Sequence, residues 1–107
     1  MAKGSVEGIV RRYLKAARAA GIHARRAVLF GSHARGEANK WSDIDLVVLA
    51  PELESPLDRR VLNTLWELRA TTDSRIEPIP CGEREWETNE TRPILEIARR
   101  EGIVIAA

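Results

Sequence analysis

The chain has 107 residues, 44% of them hydrophobic and 31% charged, which fits one small soluble domain, residues 1–107, and excludes a disordered chain. Its formal net charge of +1 gives no bulk electrostatic case for binding nucleic acid or a membrane surface. A single cysteine, Cys81, rules out an internal disulfide, and no Cys/His cluster suggests zinc.

Nothing approaches the ~20 apolar residues that a membrane span needs. Met1-Ala2-Lys3-Gly4-Ser5 has no signal-like apolar region. The expected compartment is the cytoplasm.

The first predicted element is a helix. Val6, Ile9, Val10, Tyr13, Leu14 and Ala17 recur at spacings of three and four and form one apolar stripe. Ser5 is its expected N-cap, Glu7 suits the first turn, and Gly21 ends it. Arg11, Arg12, Lys15 and Arg18 fall off the stripe and read as a solvated face.

Ala27 to Phe30 reads as a buried strand closed by Gly31, with Ser32 opening a short helix that Gly36 ends. Ile44 to Leu49 is the second strand, and Pro51 to Ser55 a loop. Ser55-Pro56-Leu57-Asp58 then opens a helix, with Ser55 as cap and Pro56 at its first position; Leu57, Val61, Leu65 and Leu68 face inward. Arg75 to Pro80 is a third strand, edge or irregular because Pro78 cannot donate to a ladder. Arg92 to Arg100 is a helix with Pro93 in its first turn and Gly102 after it, followed by the short strand Ile103-Val104-Ile105. This alternation predicts a small α/β (α+β) structure, a mixed sheet with helices packed on it.

The chemistry concentrates where the second strand begins. Side chains alternate across a strand, so Asp43 and Asp45 share one face, their Cα atoms roughly 6.5–7 Å apart. Two carboxylates at that spacing can converge on one divalent ion, and magnesium favours a few carboxylates, waters and phosphate oxygens. Asp-x-Asp alone is common, and acids often flank strands merely as solubilising residues. Glu77 on the third strand could complete a two-metal site or accept a proton from an attacking hydroxyl; Asp73 and Glu67 are nearby alternatives.

Upstream, Gly31 permits close backbone approach, and a turn into a helix aims N–H groups at an anion, to which Ser32 adds a hydroxyl. Arg35 could meet a phosphate or brace the loop against Asp43 or Glu37. Ser42 could orient the start of the Asp43 strand. No Gly-x-x-x-x-Gly-Lys-Ser/Thr P-loop is present.

Gly31-Ser32, Ala34-Arg35-Gly36 and Ser42-Asp43-Ile44-Asp45-Leu46 together resemble the signature of the minimal nucleotidyltransferases, small members of the DNA polymerase β superfamily. The closing Glu-Gly-Ile-Val-Ile is similar as well. The resemblance implies transfer of a nucleoside monophosphate, usually AMP from ATP, to a hydroxyl acceptor with release of pyrophosphate. It implies two Mg2+ ions held by Asp43, Asp45 and Glu77, with Gly31 and Ser32 holding the triphosphate. It also implies a helical HEPN-domain partner, often a toxin ribonuclease, that the nucleotidyltransferase neutralises by binding and by adding AMP to a tyrosine. Transfer to a small molecule such as an aminoglycoside, and a non-catalytic antitoxin, are the alternatives; a homo-oligomer is possible. Trp41, Trp66 and Trp86 read first as packing residues, with an exposed interface as the second reading. His33 sits at a variable motif position, and His23 and Cys81 read as structural.

Overall fold

The computed structural model describes residues 2–107, with side chains from Val6 onward. The elements run α1 (Ala2–Ala19), β1 (Arg26–Phe30), α2 (Ser32–Arg35), β2 (Ile44–Leu49), α3 (Arg59–Glu67), β3 (Ile76–Cys81), α4 (Glu83–Thr88), α5 (Pro93–Glu101) and β4 (Ile103–Ala106). Single 3-10 turns lie at Pro51–Leu53 and Leu68–Thr71. Among the described residues no helix is long and apolar enough to cross a membrane.

The four strands form one mixed sheet in the order β3-β2-β1-β4. β1 is antiparallel to both β2 and β4, whereas β2 and β3 are parallel. β3 is an edge strand, as its prolines require. Ile44 N donates to Arg75 O and Ala50 N to Cys81 O, so the odd-numbered residues of β3 face the ladder. Pro78 and Pro80 therefore turn their nitrogens to the open side, where no donor is needed.

The sheet separates two apolar layers. Ile44, Leu46 and Val48 pack with the stripe of α1 and with Leu65 of α3. Val47 and Leu49 point the other way, with Val28, Phe30, Cys81 and Leu95 and Ala98 of α5. Each fully buried Leu, Ile or Val contributes roughly 1.5–3 kcal/mol of transfer free energy. Tyr13, fully buried, donates its hydroxyl to Leu65 O at 2.6 Å and ties α1 to α3.

Several local expectations change. α1 begins at Ala2, so Ser5 lies inside the helix rather than at its cap; its side chain is outside the described part. Glu7 accordingly sits beyond the first turn and pairs with Arg11 at 3.7 Å. At the other end Gly21 N donates to Arg18 O and Ile22 N to Ala17 O, a Schellman closure with Gly21 at φ 92°. The third helix starts at Arg59, not at Pro56. Asp58 is the cap, its carboxylate accepting from Arg60 N at 2.8 Å and so satisfying one of the unpaired donors of the first turn. α4 was not expected: Glu83-Arg84-Glu85-Trp86-Glu87-Thr88 carries one large apolar residue and no stripe. Its first turn is held locally by Glu85, which accepts from Gly82 N at 3.4 Å, and from a distance by Glu54, which accepts from Arg84 N at 2.8 Å.

Candidate active site

The alternation along β2 decides where the acids stand. Val47 and Leu49 lie on the α5 side of the sheet, so Asp45 and Asp43 belong to that side as well. The register pairs Asp45 with Phe30 on β1 and with Glu77 on β3. Glu77 precedes Ile79 and Cys81, which also pack on the α5 side, so it shares the face of the two aspartates. Asp45 is half-buried and Asp43 exposed.

Burial raises the Asp45 carboxyl above the ordinary range, and the charges of Glu77 and then Asp43 push it further the same way; His33 and Arg35 draw it partly back. Crowded, partly desolvated carboxylates supply hard oxygen donors and a local negative field. That donor set fits a hard divalent cation.

Gly31 ends β1 against this pair. Its φ of 78° and ψ of −153° lie in a region open essentially to glycine alone. A Cβ there would stand 2.3 Å from Asp45 Oδ2. The close approach that glycine permits is thus made first to Asp45, which brings the turn and the acid pair together. Ser32 opens α2, whose first N–H groups have no intrahelical acceptor. Gly36, at φ 75°, closes this helix in the left-handed conformation.

An open cavity of about 440 Å³ collects these groups: Gly31, Ser32, Arg35, Ser42, Asp43 and Asp45 line it. Phe30, Ile94, Ile97 and Glu101 complete its wall. Ser42 fixes the loop ahead of the acids, its Oγ accepting from Asn39 N at 3.0 Å. Arg35 braces the loop, as one reading of the sequence allowed. Its partners are Glu37 at 2.8 Å and Glu101 at 3.0 Å, and Asp43 is not one of them.

Glu77 stands beside Asp45 in register but is not part of the cavity wall. Among the described residues no three acidic, His or Cys side chains are grouped closely enough to hold a metal ion as they stand. Asp73 is taken up by Arg75 at 2.9 Å, and Glu67 is exposed at the end of α3, so neither is placed as a third acid.

Glu101 was missed by residue-type reasoning. Its only sequence signal is the closing Glu-Gly, read as part of a family likeness without a role. A larger groove of about 920 Å³ along α4, lined by Glu54, Glu83, Glu85 and Glu90 with Arg84, contains none of the motif residues. Trp86 packs under Arg99 on the α5 layer, whereas Trp41 and Trp66 are exposed at 79% and 42% and carry Lys40 and Arg69 over their rings.

The fold is thus a small α/β domain whose mixed sheet brings Asp45, with Asp43 just ahead of its strand, against a glycine-serine turn. A family model described as nucleotidyltransferase domain matches residues 10–97, and the chain belongs to that family. In fold it is similar to a Sulfolobus solfataricus protein provisionally assigned as a nucleotidyltransferase, at TM-score 0.66 and 13% identity, over 95% of this chain and 80% of that one. It is also similar to a chain in a structure of a toxin-antitoxin with AMP-PNP, at TM-score 0.61 and 22% identity, over 92% of this chain and 71% of the other. No curated protein matches the chain.

Proposed function

We propose that residues 1–107 form one minimal nucleotidyltransferase domain. It moves AMP from ATP to a hydroxyl of a protein partner, a tyrosine of a helical HEPN-type toxin, and so acts as an antitoxin in the cytoplasm. The observation that carries this reading is the contact between Gly31 and Asp45, which joins the turn suited to phosphates and the acid pair suited to a cation in one cavity. The family match supports nucleotidyl transfer. The fold likeness to a chain from a toxin-antitoxin structure with AMP-PNP supports the setting.

In this reading Asp43 and Asp45 hold Mg2+, with Glu77 alongside. The metal, when bound, supplies Lewis-acid polarisation of the α-phosphate and neutralises charge on the oxygens in transit. Gly31 N is already bonded to Glu101, so the Ser32 hydroxyl and the first N–H groups of α2 hold the triphosphate tail, and Arg35 adds positive charge beside it. Ser42 keeps the acid-bearing strand in place. The acceptor oxygen attacks the α-phosphorus, the bond to the β-phosphate oxygen breaks, and pyrophosphate leaves. The hydroxyl proton passes to a carboxylate beside the cavity, a role that Glu77, in register with Asp45, would fill by turning toward it.

The test uses ATP labelled at the α-phosphorus, magnesium and the HEPN-type product of a neighbouring reading frame, with wild type and Asp43→Ala/Asp45→Ala in parallel. Label on the partner with wild type only is the expected result. Label on an aminoglycoside supplied in a parallel reaction, and none on the partner, would move the acceptor to a small molecule. No transfer, with the partner still inhibited by the double variant, would overturn the enzyme reading in favour of a binding antitoxin.

A further inference from the structure

Arg35 is the one cation among the described residues lining the cavity of Asp43 and Asp45. Its charge is felt at Asp45, yet it bonds to neither aspartate. Its Nε donates to Glu37 Oε1 at 2.8 Å and its Nη1 to Glu101 Oε1 at 3.0 Å. The two anchors differ. Glu37 is two residues away and 65% exposed, so water competes for it. Glu101 comes from α5, is 25% exposed, and also accepts from Gly31 N at 3.2 Å.

The placing of Glu101 is built into the packing. A Cβ at the next residue, Gly102, would lie 2.4 Å from Val28 Cγ1 and 2.3 Å from Ala98 O. Only a glycine lets the end of α5 lie this close to β1, and that approach carries Glu101 over Gly31.

Arg35 shares one cavity wall with Asp43 and Asp45, and a guanidinium beside two carboxylates is a ready counter-ion for them, since Arg–carboxylate pairs are strong. Such a pair would occupy the oxygens a divalent cation needs. We infer that Glu101 is a positioning residue: it holds Arg35 off the Asp43–Asp45 pair and thereby keeps those carboxylates free for a divalent cation. This rests on the reading of Asp43 and Asp45 as a metal pair.

The test is a titration of the nucleotide-free full chain with Mn2+, in which free Mn2+ is followed by its paramagnetic resonance signal. Wild type binds Mn2+, and Glu101→Ala weakens binding by about tenfold. Arg35→Ala binds at least as tightly as wild type. The double variant Glu101→Ala/Arg35→Ala returns to the affinity of Arg35→Ala, because the competing cation is gone. Glu101→Gln keeps an acceptor for Gly31 N and Arg35 while losing the charge, so it falls between wild type and Glu101→Ala and serves if the alanine variant unfolds.

Glu101 variants with wild-type affinity would overturn this inference alone. So would a loss that removing Arg35 does not restore, since Glu101 would then merely support the fold. A wild-type chain that binds no Mn2+ would overturn the metal-pair reading, and this inference with it.

Discussion

Asp45 fills the space that a side chain at Gly31 would need: a Cβ on Gly31 would lie 2.3 Å from the Asp45 carboxylate oxygen Oδ2. The backbone of Gly31 also has a φ of 78°, so alanine there is strained before any contact is counted. Gly31→Ala should therefore cost about 1–3 kcal/mol of stability. It should also lower transfer activity roughly 100-fold by displacing Asp45. Thermal unfolding and labelled transfer, measured together, check this; an alanine variant with unchanged transfer would show that the Gly31–Asp45 contact does not shape the site.

Tyr13→Phe should remove the hydroxyl that meets Leu65 O while leaving the ring in place. The orphaned carbonyl is buried, so a loss of about 1–2 kcal/mol is expected. Urea unfolding should show a lower midpoint at unchanged slope.

Asp73 gives the acid limb a definite sign. The hydrogen bond from Arg75, followed by backbone and charge interactions with the same residue, holds its carboxyl below the ordinary range despite partial burial. A depressed carboxylate stabilises the fold above its unfolded value of about 3.9, and that stability is lost as pH falls through the lower folded value. Asp73→Asn should thus be less stable than wild type near neutral pH, with the difference shrinking below about pH 4. A difference constant from pH 7 to pH 2.5 would assign the effect to shape rather than charge.

Burial pushes the Cys81 thiol up to about 12, with Glu85 adding to the rise and Arg92 opposing it. The thiolate is the reactive form. At pH 8 the native protein should resist iodoacetamide and become modified only in denaturant. Rapid labelling of the folded chain would contradict the buried placement of Cys81.

Much of the framework was legible because periodic patterns report burial directly. The α1 stripe, the β2 alternation and the edge position of the proline-bearing β3 follow from residues within each element. What could not be read depends on partners far along the chain. α4 has its first turn held both locally, by Glu85, and by Glu54, 30 residues earlier. Arg35 owes its orientation to Glu101, 66 residues later. The start of α3 was misplaced because Ser55-Pro56 and Asp58 are both valid caps in isolation. At the site, the motif brought six residues to one cavity wall, but the register that sets Glu77 beside Asp45 exists only in the assembled sheet.

The central claim is that Asp43, Asp45 and the Gly31-Ser32 turn form one metal–triphosphate site. Titrating the purified chain with a non-hydrolysable ATP analogue by calorimetry, with and without Mg2+, tests this independently of any acceptor. Wild type should bind the analogue only with Mg2+, and Asp43→Asn/Asp45→Asn should lose that Mg2+-dependent binding while keeping the wild-type unfolding temperature to within a few degrees. Equal binding with and without Mg2+, or undiminished Mg2+-dependent binding by the double variant, would contradict it.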